Sequence, residues 1–188
     1  MWRRSSALCL VLAGCGRFAF APVDDAVVTD SSGCPPTYDI SLPSSTSRYR
    51  VSSEDRLVSV HHEICKADSN TGTHLVAVNN LAELDDLDLV LQRVAPPAMG
   101  RFYVGVVQQP GASSLATGWI DITGLTLDPL LWNVGEPDDL DGTENALEQL
   151  AVINPSGRLL DVSGTASYGA VCECDGLPVS AIAEQVIP

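Results

Sequence analysis

Apolar residues recur along this chain with two different periods, and the change of period divides it. In the first half, Leu57, Val60, His61 and Ile64 stand at helical spacing. Ser52 or Ser53 precedes them as a cap, Glu54 and Asp55 suit the positive end of a first turn, and Cys65 closes the segment. This predicts a first helix with those four residues on its buried face. Residues 74–78 alternate as a strand does. Asn80 caps a second predicted helix: Glu83 completes a capping-box pattern, Leu81, Leu84, Leu87 and Leu91 form the stripe, and Pro96-Pro97 stops it.

From Arg101 the pattern becomes that of short strands. Residues 102–107 and 118–122 are rich in β-formers, 146–153 and 158–162 flank the turn Asn154-Pro155-Ser156-Gly157, and 168–174 closes the set. Residues 124–143 form a long acidic stretch with Pro and Gly, and a loop of that length inside a compact domain usually carries function. Two helices followed by a run of strands predict an α+β fold.

Composition narrows the partners. With 188 residues, 45% of them apolar and 18% charged, the chain has material for one packed domain. A net charge of −14 repels nucleic-acid phosphates and anionic headgroups, and it suits hard cations with oxygen ligands, Ca²⁺ above all.

The first residues form a targeting pattern. Trp2-Arg3-Arg4 is basic, 5–12 is mostly apolar but too short to span a bilayer, and Leu12-Ala13-Gly14-Cys15 follows. This segment resembles a bacterial lipoprotein signal, which implies cleavage before Cys15, acylation (diacylglycerol and palmitate-type chains) of its thiol, and a lipid-anchored place on the bacterial cell envelope, at the outer membrane or cell surface. The expected organisation is a signal over 1–14, a flexible tether over 15–33, one domain over 34–175 and a C-terminal tail over 176–188. Once Cys9 leaves with the signal and Cys15 takes lipid, Cys34, Cys65, Cys172 and Cys174 remain, an even number that suits an oxidising compartment and allows three pairings.

From Cys34 to Cys174 the chain resembles the C-type-lectin-like domain. Gly72-Thr73-His74-Leu75-Val76-Ala77-Val78 looks like the family's Gly-Ala-His-Leu-Ala strand, and Asn79, Glu83 and Leu87 open the second helix in its register. Tyr103-Val104-Gly105-Val106 looks like its Trp-Ile-Gly-Leu strand. Trp119, Gly124 and Trp132 resemble the residues leading into its long loop, and Ala170-Val171-Cys172-Glu173 looks like its closing strand. Glu136-Pro137-Asp138 sits where the family's sugar-and-calcium tripeptide belongs, with Glu144 eight residues on. The resemblance implies the bridges Cys65–Cys172 and Cys34–Cys174. The family's second bridge is missing, Ala146 standing at one of its positions and no cysteine lying near Gly164.

The same resemblance implies a metal site of Glu136, Asp138, Glu144 and Asp161, a cis bond before Pro137, and sugar hydroxyls held by the calcium and by Glu136, Asp138 and Glu144. Asp139 and Asp141 would serve a second, structural calcium. One departure counts against the site: Leu160 stands where the family carries an Asn that supplies a calcium oxygen and a sugar-facing amide.

No catalytic constellation accompanies this. No serine sits at a nucleophile elbow, His62 and His74 have no acid linked to them by sequence, and His61 with Cys65 lacks converging metal ligands. Trp119 and Trp132 fit a core. The sequence therefore describes a binding protein rather than an enzyme, with a carbohydrate or protein ligand at the cell surface. It is either a calcium-dependent carbohydrate-binding module or a metal-independent protein-recognition or adhesion module on the same fold.

Overall fold

A computed structural model describes residues 33–69, 72–94, 100–140 and 142–187. Cys15, the expected signal over 1–14 and most of the expected tether, Pro96-Pro97 and Asp141 lie outside the described residues. The elements run β1 (Ile40–Ser41), β2 (Arg48–Arg56), α1 (Val58–Ala67), β3 (Thr73–Leu75), α2 (Leu81–Val94), β4 (Phe102–Gln108), β5 (Trp119–Asp121), β6 (Leu150–Ile153), β7 (Leu159–Val162), β8 (Tyr168–Cys174) and α3 (Ala181–Val186). This is an α+β fold on one mixed sheet. Its strand order is β1-β2-β8-β4-β6-β7, with β3 added to β8 and β5 to β4. No helix among the described residues is long and apolar enough to cross a membrane.

Strand β4 shows why the sheet has two cores. All seven of its residues are buried, and alternation sends them to opposite faces. Tyr103 and Val107 join Val58, Cys65, Leu75, Ile122 and Cys172 on one side, whereas Phe102, Val104 and Val106 join Leu84, Leu87, Leu91, Trp119 and Leu131 on the other. Gly105 falls on the first face because nothing larger fits. A Cβ there would lie 2.7 Å from both Ile122 Cβ and the Leu75 carbonyl oxygen, well inside van der Waals contact.

Helix α2 follows the expected stripe, with Leu84, Leu87 and Leu91 buried, although Leu81 is only marginally covered. Asn80 Oδ1 accepts from Glu83 N at 3.0 Å, and Glu83 Oε2 reaches back to Asn79 N at 2.9 Å, one residue before the cap.

Helix α1 departs from the sequence reading. Ser52 to Asp55, whose pattern suits a cap and first turn, belong instead to β2, whose register on β8 runs from Arg48↔Cys174 to Arg56↔Tyr168 with a bulge after Ser52. The helix begins at Val58, with Leu57 as a cap that makes no side-chain bond. Its buried residues are Val58, His61, His62 and Cys65, an i, i+3, i+4, i+7 set, while Leu57 and Val60 are exposed. The period was legible but the phase was displaced, because a cysteine bonded to the sheet has to face it.

Both bridges implied by the resemblance are present. Cys65 bonds Cys172 with Cα atoms 5.5 Å apart, and Cys34 bonds Cys174 at 5.9 Å. They close separations of 107 and 140 residues, each stabilising by about 4–5 kcal/mol in the chain-entropy account. Strand β6 starts at Leu150 rather than at 146, since Ala146 has φ +60° and the segment before Leu150 belongs to the long loop. The tail carries α3, capped by Ser180, with Ala183 and Ile187 buried in the first core.

Burial holds the His61 and His62 rings below their ordinary range. A neutral buried histidine binds its proton more weakly than the unfolded chain does, so its contribution is complete above about pH 6.5 and is lost as acid enters the window beneath that value. His61 Nε2 faces the carbonyl oxygens of Tyr168 at 3.0 Å and Glu54 at 3.1 Å, and a glutamine amide can donate in its place without titrating. In denaturant melts at about pH 7.5 and about pH 5, His61→Gln should lose less stability on acidification than the wild type. Equal losses would remove His61 from the acid response.

Candidate functional site

The long loop is pinned to the sheet before it reaches the acidic residues. Asp128 Oδ1 accepts from Leu130 N at 2.9 Å and caps a single 3-10 turn, Pro129–Leu131. Trp132 meets Trp119 edge to face, with ring centroids 4.6 Å apart and an interplanar angle of 67°. Trp119 is buried and Trp132 packs against the second core, as read from the sequence. Asn133 N then donates to the Leu159 carbonyl on β7 at 2.9 Å. The Glu136-Pro137 peptide that follows is cis, as the resemblance implies.

Asp161 on β7 organises the next turn. Its Oδ1 accepts from Asp138 N at 3.1 Å and its Oδ2 from Asp139 N at 2.8 Å. Glu136, Asp138 and Asp161 are thereby brought together, each offering a carboxylate oxygen within 4.8 Å of the others. Glu144 lies outside that group. Its Oε2 accepts from Gln108 Nε2 at 2.8 Å and its Oε1 from Ala146 N at 3.3 Å, so it ties the loop to the end of β4. Leu160 packs against the first core and offers the site no oxygen.

Asp139, expected to serve a second calcium with Asp141, is committed to the backbone. It is buried at φ +49°, its Oδ1 accepts from Leu147 N at 3.0 Å and Glu148 N at 2.8 Å, and its Oδ2 accepts from Asn145 N at 2.5 Å. It folds 145–148 back onto the loop.

The like charges disturb one another. Burial, a hydrogen bond with Asp161 and the charges of Asp161, Asp138 and Glu148 push Glu136 up to about 8. Glu148 is raised by burial and by Asp161, Asp138 and Asp139. Sequence reading missed Glu148; it is drawn toward Asp161 through Asp139, whose Oδ1 accepts from Glu148 N while its own N donates to Asp161 Oδ2. The donor set is all oxygen, and a pocket that holds a proton on one of three crowded carboxylates is suited to a cation in its place.

Asp139 gives a graded test of the loop. Asp139→Ala leaves three part-buried amides without their acceptor and should cost on the order of 1–3 kcal/mol in all, since water can reach some of the freed amides. Asp139→Asn keeps Oδ1 and should cost less. Thermal melts rank the two, and hydrogen exchange should show faster opening at the amides of 145, 147 and 148. Unchanged protection in Asp139→Ala would refute the clamp.

No family model matches the chain. Human C-type lectin domain family 4 member E is 29% identical over 109 residues, covering 58% of this chain and 47% of that protein. The chain thus matches less than half the length of this curated relative. Among solved structures, the C-type lectin CEL-I from Cucumaria echinata superposes with a TM-score of 0.63 at 19% identity, over 77% of this chain and 99% of that one. The mouse scavenger receptor C-type lectin carbohydrate-recognition domain gives 0.60 at 20% identity, over 76% and 98%. The carbohydrate-recognition domain of cow CD23, solved in the presence of a GlcNAc2Man3 oligosaccharide, gives 0.57 at 19%, over 78% and 98%. With the helix order, the mixed sheet and both bridges, these likenesses identify the architecture of the described residues as that of a C-type-lectin-like domain.

Proposed function

We propose that this domain binds a carbohydrate through a weakly held Ca²⁺ at the long loop. The observation that carries this reading is the convergence of Glu136, Asp138 and Asp161 within 4.8 Å. Calcium takes six to eight oxygens at about 2.3–2.6 Å and tolerates irregular geometry. Three carboxylates supply part of that shell, and the remaining positions suit water or neighbouring sugar hydroxyls. The bound ion would supply the charge that holds the carboxylates together. Glu136 and Asp138 would accept hydrogen bonds from the sugar. With Leu160 in place of an oxygen donor, the affinity should be no better than roughly millimolar, the weak extracellular range.

Calorimetry and thermal melts of the full chain with CaCl₂ test the metal step, and a glycan array with and without calcium tests the sugar step. Free calcium a hundredfold above its dissociation constant should stabilise the fold by about 2.7 kcal/mol. Glu136→Gln and Asp138→Asn should remove that response, and Glu144→Ala should keep it. Affinity should fall as the pH drops below about 8, because the ion displaces the proton that Glu136 holds.

A second reading rests on apolar exposure. Val134 is 98% exposed, Leu140 72% and Leu130 71%, and apolar side chains flanking a loop suit a protein partner. If calcium moves neither the melting temperature nor glycan binding, metal-independent protein recognition replaces the lectin reading.

The same proposal places the domain on the bacterial cell envelope, with 1–14 as a signal, Cys15 lipidated and 16–33 as the tether. What supports it is the Leu12-Ala13-Gly14-Cys15 pattern. Cys15→Ala should block processing and move the protein out of the membrane fraction. Continued maturation at residue 15 with sedimentation in membranes would refute the anchor.

A further inference from the structure

A second group of ligating side chains shares no residue with the long-loop site. His74 on β3 lies opposite Glu173 on β8, and Asp175 follows two residues later, so strand pairing and alternation bring all three side chains together. Each offers one ligand atom within 4.8 Å of the others. His74 and Glu173 are fully buried, and the Asp175 side chain is 11% exposed.

Three features of this group go beyond an ordinary ion pair. First, His74 Nδ1 faces the Leu75 carbonyl oxygen at 2.7 Å. A carbonyl only accepts, so the proton sits on Nδ1 and Nε2 is the atom presented to the acids, the arrangement that orients a metal-bound imidazole from behind. Second, Nε2 and Asp175 Oδ1 are 3.0 Å apart. Two ligands at about 2.0–2.1 Å from one ion and separated by that distance subtend roughly 95° at the metal, an angle that distorted four- and five-coordinate zinc accommodates. Third, the Glu173 carboxylate has acceptor capacity left over. Oε2 accepts from Ala77 N at 2.8 Å and the Ser47 side chain also hydrogen-bonds the carboxylate, while Oε1 is buried with no partner within hydrogen-bond geometry among the described residues. A buried carboxylate oxygen without a partner is costly, and an ion is a partner the pairing of His74 with Asp175 does not supply.

We propose that His74 Nε2, the Glu173 carboxylate and Asp175 Oδ1 form a binding site for Zn²⁺, with a fourth position open toward the exposed edge of Asp175. The donor set selects the ion. One imidazole and two carboxylates suit zinc, whereas calcium and magnesium prefer oxygen alone. A neutral imidazole with two carboxylates also balances a divalent charge in a place where an unbalanced charge is expensive. The site stands independently of the lectin reading.

The test uses the full chain, stripped with a chelator and titrated with ZnCl₂ by calorimetry and thermal melts, then with CoCl₂ by visible absorption and proton NMR. One zinc per chain and a raised melting temperature are expected. His74→Gln and Asp175→Asn should each weaken binding by at least roughly tenfold, the lower bound for disturbing a metal's ligand shell. Glu136→Gln, at the long loop, should leave zinc binding unchanged, so failure of the calcium reading and failure of this one can be told apart. Cobalt should give ligand-field bands and a shifted, exchange-protected imidazole N–H from His74, a signature that needs no variant to fold. Absence of stoichiometric zinc, zinc binding that survives both His74→Gln and Asp175→Asn, or a cobalt complex without a shifted His74 signal would overturn the proposal and leave His74–Asp175 as a buried ion pair.

Discussion

Cys172 and Cys174 stand two residues apart on β8 and send their sulfurs to the same face, one to Cys65 on α1 and the other to Cys34 at the start of the domain. Much of the architecture follows from that strand being held. It hydrogen-bonds to β2 and β3 in antiparallel register and to β4 in parallel register, so three segments far apart in sequence are indexed against one another by a single element. The bridged face fixes the phase of α1. The opposite face carries Val171 into the second core and Glu173 into a buried polar layer with Ala77 N. A slip of one residue in β8 would exchange these faces and bury the wrong set, which is why covalent anchoring here specifies register as well as adding stability.

The long loop has the opposite problem: it gathers charge rather than burying hydrocarbon. Asp161, Asp138, Glu136 and Glu148 repel one another, and the fold tolerates this by giving backbone amides to the carboxylates. Asp161 receives two amides and Asp139 three. Charge-assisted hydrogen bonds of this kind are stronger than neutral ones, so the loop keeps its shape through carboxylate-to-amide contacts. The same economy explains Glu144, whose oxygens go to Gln108 and Ala146 instead of joining the cluster.

What could be read from the sequence was what is decided locally or carried by motif order. Helix α2 was legible because its cap, its stripe and its capping glutamate lie within a few residues of one another. The turn at Asn154 was legible for the same reason, Gly157 N donating to the Asn154 carbonyl at 3.0 Å. Strand β2 was not, since Ser52, Ser53, Glu54 and Asp55 suit a helix start, and only their pairing with β8 makes them a strand. Helix α1 offered two apolar faces, and the bridge to Cys172 chose between them. At the site, motif order led to Glu136, Asp138 and Asp161, but the distance between Glu144 and that cluster depends on how the loop folds back, and Glu148 enters through the Asp139 clamp. His74 had no linked acid in the sequence because its partners lie about a hundred residues away on the strand opposite it.

The edge-to-face tryptophans give the loop an optical consequence. Of the three indoles in the chain, Trp2 lies outside the described residues, and the described residues hold Trp119 in the sheet and Trp132 at the foot of the acidic loop. Two indoles with centroids 4.6 Å apart and planes inclined at 67° couple their electronic transitions. The near-ultraviolet circular dichroism of the domain therefore reports one contact between the rigid sheet and the segment that carries Glu136 and Asp138, and any event that lifts that segment changes the spectrum without a label.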